Sequence, residues 1–117
     1  MKRIAIALAG ILGLSACNVE VPPIESGFTA TTFVKVDSPN KKELTPTQVE
    51  ALTEWFAAHR DGWKFKITDF YPSRVFGFRH KSEVTWVYLA GDEVFIGNRA
   101  RSLTRDEREE LEEIAQK

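Results

Sequence analysis

Two helix-start signatures of the same design bracket the middle of the chain, and the segment between them decides the fold class. At Leu44-Thr45-Pro46-Thr47-Gln48-Val49, Thr45 is placed to cap the helix, Gln48 reaches back from the third position and Pro46 suits the first turn. Leu44 and Val49 can close over the start as a hydrophobic staple. Leu103-Thr104-Arg105-Asp106-Glu107 repeats the capping box. The first helix is expected to run to about His59 or Arg60 and to stop at Asp61-Gly62, with Val49, Leu52 and Phe56 inward and Trp55 on the flank. The second, to Gln116, offers only Leu111, Ile114 and Ala115 as an apolar seam and should lie shallowly on the domain edge.

Between the two boxes the period changes from helical to alternating. Trp63 to Thr68 alternates apolar with polar, which places Trp63 and Phe65 in the core. Further strands are expected at Arg74–Arg79, Val84–Ala90 and Val94–Ile96, with a two-residue hairpin at Gly91-Asp92. Short connections make neighbouring strands antiparallel, so these four form a meander. Phe28 to Val36, rich in Thr, Val and Phe, supplies a first strand, and Ser38 to Lys42 a polar loop. The predicted architecture is α+β: strand, helix, four-stranded antiparallel meander, helix, with the apolar face of the sheet under the first helix. This order is similar to cystatin-like folds, although their Gln-x-Val-x-Gly inhibitory loop is absent.

The first 17 residues follow other rules. Lys2 and Arg3 precede an apolar run from Ile4 to Leu14. A run of this length falls short of the roughly 20 residues that span a bilayer and suits a removable export signal. It ends in Leu14-Ser15-Ala16-Cys17, which resembles the lipobox of bacterial lipoproteins. The resemblance implies cleavage between Ala16 and Cys17, a diacylglyceryl group on the Cys17 thiol and acylation of the new amine. Such chains contribute about 0.8 kcal/mol per buried CH₂, and two or three of them anchor a protein stably. Asn18, where an Asp resembles an inner-membrane retention signal, favours the outer membrane and its periplasmic side. The expected divisions are a signal peptide at 1–16, a lipidated tether at 17–27 and one domain at 28–117. Pro22-Pro23 favours an extended tether reaching about 30 Å.

Removal of the leader leaves 101 residues with 14 basic and 17 acidic side chains, a balance that gives no long-range attraction for nucleic acid or anionic lipid. Cys17 is the only cysteine, so no disulfide can form within the chain and the core must hold the domain unaided. Two histidines, His59 and His80, do not supply the ligands of a metal site, and neither a Gly-x-Ser-x-Gly elbow nor a phosphate loop occurs. No cofactor, metal or catalytic group is expected. His59 near Asp61 is best read as a last-turn histidine favoured by the helix dipole.

What remains are aromatic and basic groups: Trp55, Trp86 and Tyr88, with Arg74 and Arg79, are the candidate partner-binding residues. Trp86 and Tyr88 share one face of their strand while Val87 and Leu89 take the other. That strand is therefore central and covered on both sides, with the last helix on the second side, or it leaves one face for a partner. Basic side chains at Arg74, Arg79, His80 and Lys81, and at Arg99, Arg101 and Arg105, could meet carboxylates, lipid phosphates or peptidoglycan. The expected function is a lipid-anchored envelope lipoprotein whose non-enzymatic domain binds a protein or envelope partner. The alternative is an inhibitor or immunity protein against an envelope-targeting enzyme or toxin.

Overall fold

The computed structural model describes residues 18–31 and 41–116; the expected signal segment, Cys17 and residues 32–36 of the expected first strand lie outside them. The described chain is α+β, with seven strands in one antiparallel sheet and two helices. In chain order these are β1 (Ser26–Ala30), β2 (Lys42–Glu43), α1 (Pro46–Ala58), β3 (Trp63–Phe65), β4 (Arg74–His80), β5 (Glu83–Ala90), β6 (Glu93–Ile96), β7 (Arg99–Ser102) and α2 (Arg105–Gln116). Across the sheet the order is β2-β1-β4-β5-β6-β7-β3.

The antiparallel meander is present as β4 to β7, but its membership differs from the expectation at both ends. Trp63–Phe65 does not pair with β4. It pairs with β7 at the far edge, Trp63 opposite Arg101 and Phe65 opposite Arg99. The eight residues 66–73 make this possible. Four strand spacings separate β3 from β4, about 19 Å, and eight extended residues reach about 28 Å. The crossover is fastened where Phe70 stacks on Phe95, ring centroids 4.2 Å apart. β7 went unpredicted because Arg-Ala-Arg-Ser carries no apolar alternation, although Gly97-Asn98 before it is a two-residue hairpin signal. β2 falls partly in the expected polar loop and pairs with β1 through Phe28 opposite Glu43.

Both helices pack on one face of the sheet. That core joins Leu52, Trp55 and Phe56 of α1 to Trp63, Phe76, Phe78, Val87, Leu89 and Val94 of the strands, and to Leu103, Leu111 and Ala115. α1 begins with the expected capping box, Gln48 N donating to Thr45 Oγ1 and Thr45 N to Gln48 Oε1. Its buried stripe is Gln48, Leu52, Trp55 and Phe56, rotated from the expected one because α2 covers that flank, while Val49 is half-buried. α2 is not shallow: Leu111 is fully buried and Ala115 nearly so. Phe65, expected inside, is 60% exposed on β3, the edge strand of the sheet.

Residues 18–25 have no regular structure, as Pro22 and Pro23 require, yet they do not stand free as a tether. Val19 N donates to the Arg60 carbonyl at 2.9 Å, Glu20 pairs with Arg60 at 2.7 Å, and Glu25 N donates to the Arg79 carbonyl. Val19, Val21 and Ile24 pack against the helix-side core. Ser26 and Gly27, assigned to the tether by sequence, pair with Arg79 and Phe78 as the first residues of β1.

Candidate functional site

β5 lies at the centre of the sheet, so its alternation divides the molecule. Val87 and Leu89 face the helices and are fully buried; Trp86 and Tyr88 face away and are half-buried. α2 does not cover them, since it shares the other face with α1.

The outer face is built around a missing side chain. A Cβ on Gly77 would sit 2.2 Å from the Phe28 ring, so the ring occupies the space that any larger residue would fill. Cross-strand registry brings this about, Phe28 lying opposite Gly77 and Gly77 opposite Trp86. The Trp86 ring meets the edge of Phe28 at 5.5 Å and 75°, an arrangement that aligns ring edge with ring face. Arg79, two residues along β4, places its guanidinium 5.1 Å from the Phe28 centroid. Its two terminal nitrogens donate to Glu43 at 2.8 and 2.9 Å, a fork-on-fork pair, and one also donates to Ser26 Oγ at 3.2 Å. This pairing holds the Glu43 carboxyl below the usual carboxylate range and pushes Arg79 up. The Glu43 side chain is more than half exposed, so the pair rims the face without being enclosed by it.

Tyr88 continues the face toward the crossover, 5.6 Å from Phe70, and burial raises its phenol pKa. Lys66 reaches over Phe95 and donates to both carboxylate oxygens of Glu93, at 2.7 and 2.9 Å. On this face Phe28, Val75 and Phe95 are buried, Trp86 and Tyr88 are half-buried, and paired charges stand at two sides.

Of the residues selected by sequence, Trp86, Tyr88 and Arg79 share this face. Trp55 and Arg74 do not. Trp55 is only 6% exposed on the helix side; its Nε1 donates to Glu110 at 3.1 Å and its ring stacks on His59 at 3.9 Å. Arg74 faces α2, donating to Glu112 from Nε and Nη2 at 3.3 and 3.0 Å and to Thr29 Oγ1 at 3.5 Å, with its side chain 11% exposed. Both are structural ties between layers. Sequence reasoning missed Phe28, Gly77 and Glu43, since only the pairing of β1 with β4 and β2 assembles them. Ala16 and Cys17 lie outside the described residues.

A second polar cluster sits at the end of α1. His59 Nδ1–H donates to the Trp55 carbonyl at 2.6 Å, and Nε2 lies 3.4 Å from Glu107, which also accepts from Arg101 at 3.1 Å. The carboxylate beside His59 is thus Glu107 and not Asp61, whose carbonyl instead accepts from Arg101 Nε. Burial pushes Glu107 up, but the Thr104 amide and Arg101 outweigh it, and its pKa is lowered on balance. Among the described residues no group of three or more His, Cys, Asp or Glu could hold a metal ion, and no helix is long and apolar enough to cross a membrane. No family model, curated protein or solved structure matches the chain.

Proposed function

We propose that this protein is an envelope lipoprotein, anchored by lipid on Cys17 at the periplasmic side of the outer membrane, whose domain binds a protein partner without catalysing a reaction. The anchor rests on the basic start, the short apolar run and Leu14-Ser15-Ala16-Cys17. The observation that carries the binding role is the placement of both helices on one face of the sheet, with half-buried Trp86 and Tyr88 on the other beside the Arg79–Glu43 pair. Aromatic and arginine side chains are the groups that most often dominate binding energy at protein interfaces.

The test has two arms in cells of the source bacterium. Metabolic labelling with a palmitate analogue should mark the protein, and Cys17→Ser should abolish the label. A photo-cross-linking residue at Val84, next to Trp86 on the outer face, should give a discrete adduct that the same residue at Glu113 does not. Label retained in Cys17→Ser sinks the anchor; equal adducts, or none, at the two positions sink the binding face. An envelope-degrading enzyme as the captured species would make the protein its inhibitor.

A further inference from the structure

The docked N-terminal segment sets how far the domain can stand from its anchor. A free tether of ten residues would allow about 30 Å. Instead the chain is fastened at Val19, whose amide donates to the Arg60 carbonyl at 2.9 Å, and at Glu20, paired with the Arg60 guanidinium. Only Asn18 then separates Cys17 from the fastened residue, and two residue steps reach about 7 Å. The polar layer on each side of the hydrocarbon is about as thick as that. With lipid on Cys17, the end of α1 therefore rests among the headgroups.

The segment that follows Arg60 carries what an interface needs. Arg60 to Ile67 reads Arg-Asp-Gly-Trp-Lys-Phe-Lys-Ile, in which Arg60 and Lys66 are paired with Glu20 and Glu93 and Lys64 is exposed. Trp63 is buried and ties β3 to α1 through Nε1 and the His59 carbonyl at 2.9 Å. Phe65 and Ile67 are 60% and 78% exposed, the first on the same side of β3 as Trp63. Large apolar side chains so exposed, on either side of a lysine and next to exposed Lys64, suit burial in the headgroup boundary, while Lys66 is held by Glu93. The opposite flank of α1 is acidic. α2 packs there, against Gln48 and Trp55, with six acidic side chains to two basic in Arg105–Gln116. The N-terminal segment lies along the other side, by Thr53, Phe56, Ala57 and Arg60.

We infer that Phe65 and Ile67 are a membrane-docking edge: they enter the surface of an anionic phospholipid bilayer beside the Cys17 anchor, with α2 turned away. The inference rests on the anchoring proposed above. It adds an orientation, with the domain held on the bilayer at its β3 end.

Single cysteines at Phe65, Ile67 and, on α2, Glu113 test it, because the lipid caps Cys17 and leaves the introduced thiol alone for labelling. The full lipidated protein, labelled with an environment-sensitive fluorophore, is reconstituted in phosphatidylethanolamine–phosphatidylglycerol vesicles. Nitroxide-bearing lipid should quench the probe at 65 and 67 several-fold more than at 113, with a blue shift at the first two. Quenching at 65 and 67 no stronger than at 113 overturns the orientation. A blue shift that grows with protein density and resists lipid quenching would assign the edge to a second copy of the chain, and overturns it too. The mass of Cys17 in the same preparation separates the readings. Unmodified Cys17 removes the anchor and this orientation with it, whereas modified Cys17 with equal quenching removes the orientation alone.

Discussion

The side-chain amide of Gln48, in the first turn of α1, donates to the carbonyl of Ile114 at 2.9 Å in the last turn of α2. The same Nε2 lies 3.3 Å from the Ala115 carbonyl, and Oε1 accepts from Thr45 N at 2.8 Å. One buried side chain thus closes the start of one helix and the end of the other. Gln48→Ala should cost about 1–3 kcal/mol, because it removes a cap and strands buried polar groups. Gln48→Glu is the sharper variant: it keeps the acceptor of the capping box but cannot donate to α2. Urea unfolding should find Gln48→Glu destabilised, with faster amide exchange at the end of α2. A Gln48→Glu protein as stable as the parent would show that the link between the helices contributes nothing.

Gly77 and Phe28 should be strongly coupled. A Cβ at 77 would press into the ring at 2.2 Å, so Gly77→Ala should cost about 3 kcal/mol by overpacking. Phe28→Ala alone should cost about 3–5 kcal/mol through the cavity it leaves. The double variant should cost clearly less than the sum, since each change relieves the other. Additive costs in a double-mutant cycle would refute the steric account.

Acid should weaken the fold partly through Glu107. Its folded-state pKa is lowered, so its contribution is fully present above the ordinary carboxylate value near 4.5 and is lost as pH falls through the lower folded value. Glu107→Gln keeps the third-position side chain of the capping box while removing the charge beside Arg101 and His59. It should cost about 1 kcal/mol or less at neutral pH and make stability less steep below pH 5. An acid limb identical to the parent's in a pH series of urea midpoints would exclude this role.

The three tryptophans should separate by cost. Trp63→Ala, at 2% exposure and with its Nε1 bonded to the His59 carbonyl, should cost about 3–5 kcal/mol. Trp86→Ala, half-buried on the outer face, should cost much less while abolishing the adduct formed from Val84. A Trp86→Ala protein that unfolds as readily as Trp63→Ala would mark Trp86 as core and not as a recognition residue.

What could be read in the sequence is local. Thr45 and Gln48 announce α1 because capping is settled within four residues, and Gly91-Asp92 announces its hairpin for the same reason. The position of β3 was not readable, since the pattern of Trp63 to Ile67 says which side chains alternate but not which strand they meet. The burial of Trp55 depends on α2, fifty residues away, and nothing around Trp55 encodes it. At the candidate site, Trp86 and Tyr88 were legible as a second apolar face of β5. The Phe28–Gly77–Arg79–Glu43 cluster was not, because it exists only in the pairing of three strands. Helix starts and hairpins are local physics; faces and edges are not.

Among the described residues both borders of the sheet are short, two residues of β2 on one side and three of β3 on the other. Under the proposed anchoring, copies of this domain diffuse in two dimensions and meet one another far more often than dissolved ones do. A long open border would turn each encounter into a chance to extend one sheet into the next. Short borders offer at most two or three residues to a neighbour, too few for strands to adhere. A crowded lawn of such domains can stay a population of individuals.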